Sequence, residues 1–373
     1  FICTCIEQAQ MKYVLHIGIF IAVLIVYLHV QAHFRSAPSS DVFELDGIID
    51  TRIDDVLDLK QPVIFRSRTC EKLVQDINIH AILRDIGTTT VDVFVSPVSS
   101  TSCSSKNTRV AVSLDSFVKL QQVDISLNNE EIEDTDTTDQ GHKTNTSYYS
   151  DGNDKLVNGL SKETKNIIST HHTHIAPPMT CTTRYDMLFG TDHSTTTMRR
   201  HVAHRTYFTV TNGTMEAKLI HPDQLNDVVF VSDPEVVPDP MTSVMIDHED
   251  GSIQVTNKYK GVAKDVTVYT GQTLFVPPYW GVILQFTRNT FVVAAKYSTY
   301  MTEIATCSHQ AQFWYHKLTA RPTIVPDTHV PKPTVASVAV ELEPVIDTTA
   351  GTKSVTDDAD NDTPETVEQT TIT

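Results

Sequence analysis

Imidazole and guanidinium groups crowd into one short stretch, Arg199-Arg200-His201-Val202-Ala203-His204-Arg205, and recur in Asp192-His193 and in His171-His172-Thr173-His174. Imidazole titrates near neutral pH and is the commonest metal ligand, so metal binding or proton transfer would be sought here first. The His171–His174 group sits beside Ile-Ala-Pro-Pro and reads as a loop, where incidental surface imidazoles are the competing account. Asp192-His193 precede a predicted strand and read either as a loop cap or as groups reaching a pocket mouth. Covalent chemistry has less to work with: the chain has no Gly-x-Ser-x-Gly, no phosphate loop and no Cys-x-x-Cys spacing.

Those residues need a scaffold, and the composition points to a largely globular one. The chain has 373 residues, 40% of them hydrophobic and 20% charged. With 46 acidic against 29 basic residues its net charge is −17, which argues against a broad nucleic-acid surface. From Thr182 to Tyr300 short apolar runs alternate with Gly, Pro, Asn and Asp. "TRYDMLF", "RTYFTVT", "EAKLIH", "DVVFVS", "SIQVT", "DVTVYT", "TLFVP", "GVILQFT" and "TFVVAAKY" predict an antiparallel barrel or jelly roll. Asn212-Gly213 reads as a tight hairpin turn. Before this region, "DGIIDTRIDDVLDL", "EKLVQDINIHAIL" and "LDSFVKLQQV" have helical spacing, while "QPVIFRS" and "TTVDVFVSP" read as strands. "FWYHKL" closes the region as a helix or a strand. Residues 124–156 are acidic and polar and read as a solvated insertion; residues 321–373 read as a disordered acidic tail.

An apolar stretch runs from Val14 to Val30, interrupted only by His16 and His29. As a helix it rises about 26 Å, close to the hydrocarbon core of about 30 Å. Residues 11–32 therefore read as a signal anchor or a signal peptide, with Val30-Gln31-Ala32 as the cleavage site in the second case. The anchor implies a single-pass membrane protein with a lumenal or extracellular domain; cleavage implies secretion. Residues 1–10 precede the first Met and read as leader or fragment edge. Asn145, Asn212 and Asn361 lie in glycosylation triplets. Cys70, Cys103, Cys181 and Cys307 could form up to two disulfides in a secretory compartment or remain thiols elsewhere.

Taken in order, "LKQPVIFR", "SYYSDGN", "MLFGTDHSTTTMRRHVAHRTYFTVTNGTMEAKLIHP" and "DVTVYTGQTLFVPPYWGVILQF" resemble the JmjC/cupin-like proteins, the group that includes Fe(II)- and 2-oxoglutarate-dependent protein hydroxylases. The resemblance covers about residues 42–318. It implies a mainly β fold, a double-stranded β-helix (jelly roll) with flanking helices. It also implies where a metal would be held, by an His-x-Asp or His-x-Glu pair and a distal His. An ungapped match puts Arg200 and Val202 on the pair and Val282 on the distal position. None of these side chains can ligate iron, since Val has no donor and a guanidinium has no lone pair to offer.

A one-residue shift puts His201 and Ala203 on the pair, as in the iron halogenases, but leaves Val282 unchanged. Met215 falls where the family places a Lys for the co-substrate, whereas Thr197 suits the family's hydroxyl contact. The resemblance therefore implies a degenerate member, a pseudoenzyme needing no cofactor. Its expected pocket is Thr197, His201, Arg205, Met215, Tyr279 and Trp280, and its expected partner is a protein or a small anionic ligand near Arg200 and Arg205. The alternative is an active hydroxylase holding Fe(II) and 2-oxoglutarate through His193, His201 and His204. Tyr279 and Trp280 read first as wall packing.

Overall fold

The computed structural model describes residues 2–35, 39–49, 53–77, 79–96, 109–129, 147–173, 175–232, 237, 239–246 and 262–319. The chain divides into two units, Phe1–Arg321 and Pro322–Thr373, and the second lies outside the described residues. So do the expected strand "SIQVT", the middle of the acidic insertion and the triplets at Asn145 and Asn361.

The elements follow in chain order. They begin with α1 (Ile2–Phe34), β1 (Phe43–Ile49), α2 (Asp54–Leu57), β2 (Val63–Ser67), α3 (Arg68–Asp76), α4 (Ile79–Ile86), β3 (Thr90–Val95), β4 (Arg109–Ser113) and α5 (Leu114–Asn129). Next come β5 (Tyr148–Ser150), α6 (Asp154–Gly159), α7 (Lys162–Thr173), β6 (Thr180–Gly190), β7 (Arg199–His201), β8 (Arg205–Asn212) and β9 (Thr214–Ile220). The remainder are β10 (Val229–Val231), β11 (Thr242–Ile246), β12 (Lys264–Tyr269), β13 (Thr273–Val276), β14 (Gly281–Phe286), β15 (Thr290–Thr299), α8 (Tyr300–Ala305) and α9 (Cys307–Thr319).

Two large sheets result, antiparallel except where β1 runs parallel to β2. The first has nine strands in the order β1-β2-β13-β8-β15-β6-β5-β3-β4; the second has six, β10-β11-β7-β14-β9-β12. Alternation along the strands divides the apolar side chains between two packing layers. Leu188, Phe208, Val292 and Ala294 of the first sheet meet Ala217, Leu219, Val282 and Leu284 of the second in one cluster. Met187, Phe189, Phe291 and Val293 instead face the helices, joining Leu73, Ile82, Phe117 and Leu156. Ser67 caps α3 by accepting the Cys70 N–H (3.1 Å), and Thr299 caps α8 by accepting that of Thr302 (3.3 Å).

Three expectations need correction. Ile48 and Ile49, expected in a helix, lie in β1, and only Asp54–Leu57 is helical. The expected insertion contributes α5, β5 and α6 at its ends, with Tyr149 in the central cluster. Its Ser and Asp residues disguised a strand only three residues long. Asn212-Gly213 does not close a hairpin, because β8 and β9 belong to different sheets. It turns the chain from one sheet to the other, with Gly213 at φ 74°.

α1 begins at Ile2, so it extends through the residues expected to be leader. The stretch from Lys12 to Phe34 contains an 18-residue window of mean hydropathy 2.3, and it is long and apolar enough to cross a membrane. Its last carbonyls meet a cation: the Lys60 ammonium donates to the oxygens of Ala32, His33 (3.0 Å) and Arg35 (3.2 Å). A positive group suits the negative end of a helix dipole.

Candidate functional site

Strand β7 brings charge into the space between the sheets. Its neighbours fix the phase: Val282 lies opposite Arg199 and Gly281 opposite Arg200. Arg199 and His201 therefore face inward with Val282, and Arg200 faces the outer side of the second sheet. Together with Asp186 and Lys296 the three inward residues line a chamber of about 10 Å³, room for about one water.

The expected set of Arg200, Val202 and Val282 thus does not converge. Arg200 lies over the Phe230 ring, 4.2 Å from its centroid. Val202 packs with Ala203, Met241 and Tyr279. Val282 alone of the three lines the chamber, beside Arg199 and His201 of β7.

A carboxylate organises this interior. Asp239 accepts the Arg184 Nη1–H (3.2 Å), the Met241 N–H (3.0 Å), the Thr242 hydroxyl (2.8 Å) and the Lys296 ammonium (2.5 Å). Burial alone would raise its pKa, but the Lys296 and Arg184 cations hold it well below the usual carboxylate range. Lys296 also donates to Thr242 Oγ1 (3.0 Å), whose own proton goes to Asp239. The contact from His201 Nδ1 to the same oxygen (3.0 Å) must therefore be a donation by Nδ1–H. That fixes one tautomer and leaves Nε2 with the lone pair. Burial, followed by the Lys296 charge, keeps this imidazole neutral, with a pKa well below the ordinary value.

Arg199 pairs with the buried Asp151, and its guanidinium lies 5.8 Å from the Tyr149 ring centroid. Asp186 accepts the backbone N–H groups of Gly152 (3.1 Å) and Asn153 (2.6 Å). Burial raises its pKa to about 6 despite Lys296. Asp186 and Lys296 also border a larger cleft of about 230 Å³, lined further by Gly152, Asp154, Arg184 and Asp239. The chamber and the cleft thus share two walls. Arg184 stands at the open side, its side chain 41% exposed.

The other expected pocket residues are dispersed. Arg205 is buried and committed to Asp54 (2.7 Å) and Asp58 (3.1 Å) of the α2 region, so it offers no anion site. Met215 and Trp280 belong to the apolar core, and Trp280 packs edge-on against His221. Tyr279 stacks on Phe34 and meets His33 edge-on. Thr197 is buried, and its hydroxyl has no hydrogen-bond partner among the described residues.

His193 is exposed beside Asp192 (3.8 Å), and His204 stacks against His33. Burial, then Arg205 and Lys60, lowers the His204 pKa to about 4. His171 is buried in α7, against the expected loop, with Nδ1 2.9 Å from Thr69 Oγ1. Among the described residues no three His, Cys, Asp or Glu side chains form a group that could hold a metal ion. The chamber does not offer the two imidazoles and one carboxylate of the iron site that the family resemblance implies: one imidazole (His201) and one carboxylate (Asp186) face it, beside the cations Arg199 and Lys296 and hydrocarbon side chains such as Val282. Cys70, Cys181 and Cys307 are free thiols, and Cys103 lies outside the described residues. The Asn212 amide nitrogen donates to the Asn289 carbonyl (2.9 Å) within the corner.

Reading by motif passed over Arg184, Asp186, Asp239 and Lys296. A signal for one of them is present: in "FVVAAKY", Lys296 shares its strand face with Val292 and Ala294, so a cation had to enter an apolar layer. Comparison with known proteins finds no family model and no curated protein that matches the chain.

Proposed function

We propose that the chain is a membrane-tethered binding protein, a non-catalytic relative of the JmjC/cupin-like oxygenases built on their double-stranded β-helix. Its cleft beside Lys296 takes a small carboxylate. One observation carries this reading: the inward positions of β7 and β14 are Arg199, His201 and Val282, and both chamber cations are already tied to carboxylates. Such an interior favours a fixed polar scaffold over a metal centre. At the cleft rim Arg184 uses one N–H on Asp239 and is the more exposed of the two cations, Arg184 and Lys296, that line the cleft. We also propose that α1 is retained as the anchor, because the Ala32 carbonyl at the expected cleavage site accepts a hydrogen bond from the Lys60 ammonium and Val26 and Val30 before it are partly covered.

Purified full-length chain in detergent is titrated with Fe(II), 2-oxoglutarate and succinate while the melting temperature is followed. Binding to the native state raises it, by about 2.7 kcal/mol of stability at a hundredfold excess over Kd. The expected result is a shift with one of the carboxylates, lost in Arg184→Ala and independent of iron. Stoichiometric iron binding with release of succinate from 2-oxoglutarate would overturn the non-catalytic reading in favour of a hydroxylase with unusual ligands. No shift with either carboxylate would remove the ligand assignment.

A further inference from the structure

The last turns of α1 are part of the folded unit. While the rest of its described side chains are exposed, Val26 and Val30 are half-buried and His33 is buried. Their spacing of four and three residues places them on one face, and α8 packs along α1. α9 follows α8 after the single residue Thr306, and its Phe313 is buried. Between them the two helices leave a set of large apolar side chains uncovered: Tyr300 (60% exposed), Ile304 (48%), Trp314 (48%), Tyr315 (66%) and Leu318 (83%). The Lys317 ammonium lies 4.8 Å from the Trp314 ring centroid.

Position along α1 says what covers this patch. About 20 helical residues cross a hydrocarbon core of about 30 Å. If Lys12 marks one boundary, the other falls near Ala32. Val26 to His33 then occupy roughly the last 10 Å of the crossing, and α8 lies beside them. Tyr and Trp are favoured at this depth, where a ring can sit in the acyl boundary while its polar tip and a neighbouring Lys reach the headgroups.

We propose that α8 and α9 form a second membrane contact, with Tyr300, Ile304, Trp314, Tyr315 and Leu318 seated in the headgroup layer of the bilayer that α1 crosses. This rests on α1 spanning the membrane and is independent of what the cleft binds.

The chain has two tryptophans, and Trp280 is buried in the core, so the emission lost in Trp314→Phe reports on Trp314 alone. Full-length protein is reconstituted into phosphatidylcholine vesicles with and without bromine on the upper acyl chain. Flotation on a density gradient verifies insertion. The Trp314 emission is expected to fall about twofold in the brominated vesicles, consistent with a side chain at the acyl boundary, while Trp280 emission stays unchanged. Leu318→Glu is expected to weaken the quenching without preventing flotation. Floating protein whose Trp314 is unquenched by bromine and open to aqueous iodide would overturn the contact while leaving the anchor. Trp314 shielded from both quenchers would overturn it, since protein of this chain or of a second copy, not lipid, would then cover the patch. Failure to float would overturn contact and anchor together.

Discussion

Asp186 is a carboxyl group held where its charge is poorly solvated, and its protonation is therefore linked to folding. Its folded pKa of about 6 lies above the ordinary 3.8, so between those values the native state binds the proton more tightly than the unfolded chain does. The resulting stabilisation is fully present below about pH 4 and is lost as pH rises through about 6, amounting to about 3 kcal/mol. Asp186→Asn carries no titrating group there. Its melting temperature, measured against wild type from pH 4 to 7, is expected to gain on wild type across this window. A constant difference would show that Asp186 titrates normally. Little of this residue-scale chemistry was legible beforehand. The imidazoles drew notice as residue types, yet of those proposed as metal ligands only His201 lines the chamber. The carboxylates that organise the interior, Asp186 and Asp239, sit in "RYDML" and "PDPMT", which no motif marks.

At the scale of elements, the strands of the β region were read largely as they stand, because alternation over six or more residues is a strong signal. The two that escaped, β7 and β11, are short or lie next to turns. For β7 the error had a consequence: in "MRRHV" the residue types do not reveal which face is inward, and the pairing of Arg199 with Val282 decides it. The double role of Asn212-Gly213 was hidden for a related reason, since a tight turn inside a sheet and a corner between sheets call for the same residues. Gly213 has φ 74°, and a Cβ there would meet Thr290 Cα at 2.8 Å. Gly213→Ala therefore combines backbone strain with a contact to main chain that cannot swing away. Equilibrium urea unfolding of the variant is expected to show a loss of about 2 kcal/mol or more. A loss below about 0.5 kcal/mol would mean the corner readily relaxes.

For the whole molecule, the apolar N-terminal segment was legible as membrane-scale, but its attachment to the domain was not, because Lys60, His204 and Tyr279 lie far from it in sequence. Lys60 is held at the end of α1, and burial, then the Arg35 charge, lowers its pKa to about 8. The unfolded chain binds more protons between that value and the ordinary 10.5, so this group's contribution to stability rises with pH across that window. Lys60→Met is expected to abolish that rise, as read by denaturation in micelles from pH 7 to 10. An unchanged pH profile would remove Lys60 from the joint. Asp239 has a comparable reach within the domain. It precedes β11 of the second sheet, and two of its partners, Arg184 and Lys296, stand on β6 and β15 of the first. The layers are riveted together at the wall of the cleft, so neither can shear past the other without parting opposite charges in a dry interior. The proposed carboxylate would therefore meet a rigid mould rather than a closing hand, and one methylene too many would not fit its shape.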